Sequence, residues 1–176
     1  NHCGLSYGRG SLADAIENAK LQLDYNSVTQ HAAWPDIPDD DPDLDYLVAY
    51  HRYGFAEASK NWNAYLHQLN SYNETGRFIT FPSYEWHSCE YGDHCVYFKS
   101  PAKQPILSSP DLPALRRDLQ QQKIPFMIIP HHIAYRQGYR GLNWKAFSNI
   151  HSPVVEIFSF HGASERSAGP YPYLHA

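Results

Sequence analysis

Hydrophobic and polar positions along the chain alternate between a helical and a strand period. In SLADAIENAKLQLD, Leu12, Ala15, Ile16, Ala19 and Leu23 recur at helical spacing. Ser11 precedes them with Asp14 three residues on, a variant of the capping box. The longest helical pattern runs from Asp43 to about Thr75 through Leu44, Leu47, Val48, Phe55, Trp62, Tyr65, Leu66 and Leu69. Gly76 reads as its C-cap, and Gly54 as a break that splits it into two helices. SPDLPALRRDLQQQKI predicts a further helix, with Ser109 as cap, Pro110 at its first position and Leu112, Leu115 and Leu119 on its apolar face. Strand patterns lie between: Tyr25 to His31, Arg77 to Trp86, Cys95 to Ser100, the apolar IPFMIIP, and Pro153 to Gly162. AAWPDIPDDDPD reads as an acidic, proline-broken loop, and GLNWKAFSNI as a short helix or turn.

Strands alternating with helices predict an α/β fold with a parallel sheet. Chemistry-bearing residues recur at the strand ends. Thr29 and His31 close the first strand, Glu85 the next, His131 and His132 the apolar one and His161 the last, while Asp93 and His94 lead into the strand at Cys95. In α/β barrels and open α/β sheets alike, sites gather at the edge formed by the carboxyl ends of the strands. The set His2, His31, Glu85, His94, His131, His132 and His161 is what zinc, manganese or iron binds, through imidazole nitrogens and a bridging carboxylate. Such ions activate water for attack on a phosphorus or carbonyl centre. His51, His67, His87, His151 and His175 lack this placement and read as packed or solvent-facing. The loop YRQGYRG lacks P-loop order. Its Arg136 and Arg140 either clamp an anionic substrate or face solvent, and the same choice holds for Arg9 in YGRGSL. Trp34 and Asp36, directly after His31, are expected at the same mouth.

Composition narrows the partners. The 176 residues fit a single domain spanning 1–176. A net charge of −4 with no basic stripe excludes nucleic acid as a main partner. No apolar run is long enough to span a membrane, and no signal peptide is visible. Cys3, Cys89 and Cys95 form no CxxC pair and read as reduced, buried thiols, which favours a reducing compartment such as the cytoplasm. The 11 histidines raise the prospect of metal binding or acid–base work.

Several motifs resemble those of the PHP (polymerase and histidinol phosphatase) superfamily. NHCGLSYGRGSL is similar to its opening His-x-His element and LDYNSVTQH to its second, with Gln30 where Asp is common. FPSYEW resembles the strand that supplies a bridging carboxylate, and GDHCVYF the next His-bearing element. IIPHHIAY stands where a His-Pro strand end is usual, and VVEIFSFHGASE resembles a later Glu-bearing strand. Their order is most similar to a bacterial branch of uncharacterised domains. The resemblance implies a distorted (β/α)7 TIM-like barrel with two or three divalent ions at its C-terminal face. It makes His2, His31, Glu85, His94 and His131 ligands, Glu85 bridging, with His132 in the usual place of Pro. The first His of His-x-His would precede Asn1, and the family's late Asp-x-His motif is not met before Ala176. His161 falls in Ser-Phe-His instead. The chain is therefore expected to be a barrel cut at both ends.

The expected function is a metal-dependent hydrolase, chiefly a phosphoesterase. Its metals are held by His2, His31, Glu85, His94, His131 and His161, with Glu85, His132 and Arg140 in catalysis on a small anionic substrate. The alternative is a non-catalytic metal- or ligand-binding domain with a structural or regulatory role. A carbohydrate-binding module is disfavoured, because Trp34, Trp86 and Trp144 sit just beyond strand ends rather than in a surface row.

Overall fold

The computed structural model describes residues 2–100, 104–159 and 161–164. Phe160, Glu165 and His175, which the sequence reading touches, lie outside the described residues. In chain order the elements are α1 (Leu12–Lys20), β1 (Tyr25–Asn26), β2 (Gln30–Ala33), α2 (Asp45–Ser71), β3 (Ile79–Thr80), β4 (Ser83–Trp86), β5 (His94–Phe98), α3 (Leu112–Gln121), β6 (Phe126–Pro130), β7 (Phe158–Ser159) and β8 (Gly162–Ala163).

The helices follow their apolar periodicity. Ser11 Oγ accepts from Asp14 N at 3.0 Å and Asp14 accepts from Ser11 N at 3.2 Å, a reciprocal capping box that starts α1. Leu12, Ile16 and Ala19 are its buried face. The helix ends at Lys20, so Leu23 lies outside it and is half exposed. α2 runs unbroken through Gly54 for 27 residues, roughly 40 Å. Gly54 is a contact point, not a break: a Cβ there would meet Cδ1 of Tyr7 at 2.1 Å. α3 is capped by Asp111, whose Oδ1 accepts from Ala114 N at 2.6 Å, with Pro113 in the first turn. The expected cap, Ser109, instead donates to Asp118 Oδ2 at 2.7 Å.

The sheet departs from expectation. No (β/α)7 barrel forms: the described residues make a small α/β fold of three α-helices and eight short strands in separate small sheets, with no closed barrel. The largest sheet has the order β2-β4-β5-β6, with β1-β3 and β7-β8 as two-stranded pairs. It is mixed, not parallel: β2 pairs parallel with β4, and β5 runs antiparallel to both β4 and β6. The predicted strands at Tyr25–His31 and Arg77–Trp86 are each interrupted. Pro82 has no N–H to offer a ladder, and side chains satisfy the gap. Tyr65 of α2 donates to Val28 O at 2.7 Å and accepts from Ser83 N at 3.2 Å, while Ser27 Oγ donates to Phe81 O at 2.6 Å. Of the described residues in the predicted strand at Pro153–Gly162, Phe158–Ser159 and Gly162 are in a ladder, paired antiparallel as β7 and β8, and GLNWKAFSNI forms turns.

Register sorts the side chains between two faces. Tyr84, Val96 and Ile128 form one cross-strand row, all at 0% exposure, and Trp86 pairs with His94. This face packs in the core with Trp62 and Leu66 of α2 and Leu112, Leu115 and Leu119 of α3. On the other face His31, Glu85, Cys95 and Ile129 form a row, followed by Ser83, Tyr97 and Met127. β6 is the last strand of its sheet, yet its edge is covered: Ile128 N donates to His151 O and Glu156 N to Pro130 O. That contact brings Glu156 beside His131.

Candidate metal centre

Glu85 is the centre of the site. It lies in β4, whose four residues are all buried, and its carboxylate is 0% exposed. Among the described residues neither carboxylate oxygen has a hydrogen-bond partner. An ionised carboxylate in that position is costly unless cations surround it. Three imidazoles point Nε2 at its Oε2: His2 at 3.3 Å, His31 at 3.7 Å and His131 at 4.0 Å. Each of the three has its other ring nitrogen engaged. His2 Nδ1 donates to the Thr29 carbonyl, His31 Nδ1 lies 3.1 Å from Ser6 Oγ and His131 Nδ1 lies 2.6 Å from Glu156 Oε2. Tying Nδ1 in this way turns the Nε2 lone pair toward the carboxylate, the usual arrangement of metal-ligating histidines.

The spacing is wider than that of direct hydrogen bonds and suits ligands around an ion. Separations of 3.3–4.0 Å exceed the usual N–H···O range, about 2.7–3.2 Å. Donors bound tetrahedrally at about 2.0–2.1 Å from one ion lie about 3.4 Å apart. Burial holds His2, His31 and His132 below the ordinary imidazole value, so these rings are neutral near pH 7, as ligands must be. The ligand atoms of His2, His31 and Glu85 lie within 4.8 Å of one another and fit a divalent ion on the carboxylate, while His131 shares Glu85 in a second, overlapping group.

A second cation is already built in on the Oε1 side. Arg140 holds buried Asp93 with Nε at 2.8 Å and Nη2 at 2.6 Å, and Nη2 lies 3.9 Å from Glu85 Oε1. It also donates to His87 Nδ1 at 2.9 Å, and its guanidinium lies 5.0 Å over the Trp34 ring. Close backbone packing brings it there. Gly92 has φ +83°, and a Cβ on it would meet Gly141 O at 2.7 Å, so the loop after β6 lies directly on the turn between β4 and β5. His132, at φ +56°, points Nε2 at Asp93 Oδ2 (3.8 Å) and Glu85 Oε1 (4.0 Å), with Nδ1 buried and unpartnered.

No protein-family model matches this chain, and no curated protein matches it.

Most of the expected site residues converge. His2, His31, His131, His132 and Arg140 surround the Glu85 carboxylate. His161 sits at the rim, its ring 4.1 Å from that of His132 and its Nδ1 2.6 Å from Tyr135 OH. His94 is not brought in. It is one position out of step with Glu85, shares the opposite face with Trp86, and burial lowers its pKa to about 4. Trp34 and Asp36 lie at the same end: Trp34 under Arg140, and Asp36 accepting from Ser88 Oγ and from the backbone N–H groups of Cys89 and Glu90. Arg136 stacks on Tyr139 instead of facing the carboxylate.

The sequence reading left four nearby residues out of the site: His87, read as packed or solvent-facing, Asp93, read as leading into β5, Glu156, part of the late Glu-bearing motif, and Cys95, read as a buried thiol. His87 Nδ1 is 3.3 Å from both Glu85 Oε1 and Asp93 Oδ1. Its signal was available, since i and i+2 share a face along an extended chain. His51 is packed as expected, its Nδ1 on Leu47 O.

Glu156 sets the protonation of His131. Burial lowers the His131 pKa, but the hydrogen bond to Glu156 and the charge of Glu85 outweigh burial and raise it. A histidine raised in the folded state stabilises the fold below its unfolded pKa, about 6.5, and loses that contribution as pH rises through the folded value. Glu156→Gln in metal-free protein is therefore expected to cost on the order of 1.5 kcal/mol near pH 6 and less near pH 8.5. Thermal melts in chelator at the two pH values check this, and a larger loss at the higher pH would contradict it.

Proposed function

We propose that this protein is a metal-dependent hydrolase acting on small phosphoesters. The observation that carries the reading is the buried, unpartnered Glu85 carboxylate faced by three Nε2 atoms whose Nδ1 atoms are each engaged. When bound, a divalent zinc, manganese or iron ion supplies Lewis acidity and makes water acidic enough to attack near neutral pH. Arg140 orients the anionic group: it is a fixed cation beside Glu85 and still has donors for phosphate oxygens. His132, with Nε2 4.0 Å from Glu85 Oε1, positions water or the leaving oxygen by hydrogen bonding. Tyr135 and His161 rim the approach. The motifs that resemble the PHP superfamily support the ligand assignment of His2, His31, Glu85 and His131, without the barrel. The free thiols suit a cytoplasmic location. Among the described residues no helix is long and apolar enough to cross a membrane.

One observation favours the non-catalytic alternative. The cavity at the rim, beside His132, Tyr135, Glu156 and His161, holds only about 10 Å³, room for a single water. Elemental analysis of the purified protein, followed by phosphomonoester and phosphodiester assays with and without chelator, separates the readings. Bound metal with chelator-sensitive turnover supports the hydrolase. Bound metal without turnover on either class supports the structural role, and absence of metal removes both.

A further inference from the structure

The strand register places a residue beside Glu85 that the motifs do not nominate. Cys95 is the direct ladder partner of Glu85 across the antiparallel β4–β5 pair, so both side chains share the site face. Its Sγ, a Glu85 oxygen and a ring nitrogen of His131 all lie within 4.8 Å of one another. Cys95 is 5% exposed, and the Glu85 carboxylate at its side is fully buried with both oxygens unpartnered. A thiol is a weak donor that does little to offset a buried carboxylate. A thiolate, a Glu85 oxygen and the His131 nitrogen sharing one cation leave every member of the group satisfied. Tyr97, two residues on, lies on the same face.

We propose that Cys95 is a sulfur ligand of the ion held on Glu85 and His131. The centre then selects a thiophilic divalent ion, zinc or iron(II), over magnesium or manganese. On binding, the S–H bond breaks, the sulfur–metal bond forms and the proton leaves to solvent, with no change of oxidation state. This rests on the metal reading of the site and extends it, since Cys95 takes the place on β5 that the motifs give to His94.

Cobalt(II) titration of the chelator-stripped full chain tests it, because cobalt reports sulfur ligation through an intense near-ultraviolet charge-transfer band. Wild-type protein, Cys3→Ser and Cys89→Ser are expected to show the band. Cys95→Ser is expected to lose it while keeping the weaker visible d–d bands. Zinc affinity of Cys95→Ser should fall by at least about 10- to 100-fold, the loss typical of removing even a supporting residue, with manganese affinity changing much less. Cobalt uptake without the band, or a band that persists in Cys95→Ser, overturns the sulfur ligand and leaves the metal centre standing. No cobalt uptake by folded wild-type protein overturns both.

Discussion

Glu85→Gln is expected to remove most of the bound metal and all measurable phosphoester hydrolysis while leaving the metal-free fold at least as stable as wild type. The substitution keeps the shape of the side chain and deletes its charge. In the folded protein the carboxylate is fully buried and accepts no hydrogen bond. Among the described residues its permanent counter-charge is Arg140, 3.9 Å from Oε1, because burial holds His2, His31 and His132 below the ordinary imidazole value. Removing that charge relieves an unfavourable burial. With an ion, the same charge is the one anionic donor that His2, His31 and His131 all face, so metal affinity should fall by more than about 100-fold, beyond the loss typical of a supporting residue. If Glu85 were a structural acceptor instead, the change would cost about 1–3 kcal/mol and leave metal content intact. Metal stoichiometry and thermal unfolding in chelator, measured side by side, decide the matter. Full metal content in the variant would rule out the central role of Glu85.

The sequence shows which residues form the site more clearly than it shows the fold that gathers them. Helices were readable because apolar positions such as Leu12, Ile16 and Ala19 fix one buried stripe. Their ends were harder to place, since several polar residues compete for each cap, as Ser109 and Asp111 do before α3. The barrel failed on strand direction. A parallel connection needs a crossover of a dozen or more residues, and only His87–Asp93 separates β4 from β5. So short a link returns the chain antiparallel, which brings the start of β5 to the same edge as the end of β4. The consequence for the site is one residue of register. Antiparallel pairing sets Cys95, not His94, across from Glu85, and side chains one position apart face opposite ways. Glu156 was hidden for another reason: its approach to His131 depends on an irregular segment hydrogen-bonded along β6, which carries no periodic signal.

Arg140→Met is expected to destabilise the metal-free protein by about 3–5 kcal/mol at neutral pH, because it strands a buried carboxylate. Asp93 is fully buried, and among the described residues its one full-time cationic partner within hydrogen-bond distance is Arg140, which binds it through both Nε and Nη2. Burial alone raises the Asp93 pKa, but His87 and Arg140 outweigh it and hold the carboxyl well below its usual range. A carboxylate depressed in the folded state stabilises the fold above its unfolded pKa, about 3.9, and that contribution is lost as pH falls toward the folded value. Without Arg140 the burial penalty remains and the main counter-charge is gone, so Asp93 shifts upward and becomes easier to protonate. The gap between wild type and variant should then be widest near pH 7.5 and narrow toward pH 4.5, where protonation discharges the stranded group. Met keeps the apolar stem but loses the guanidinium that lies 5.0 Å over the Trp34 ring, a cation–π contact worth about 0.5–1 kcal/mol at either pH. Urea unfolding in chelator at the two pH values measures the gap. The double variant with Asp93→Asn should recover most of the loss, since neither charge then remains to be compensated. A loss that is the same at both pH values, or that Asp93→Asn does not relieve, would mean that Arg140 supports the loop by contact and not by charge.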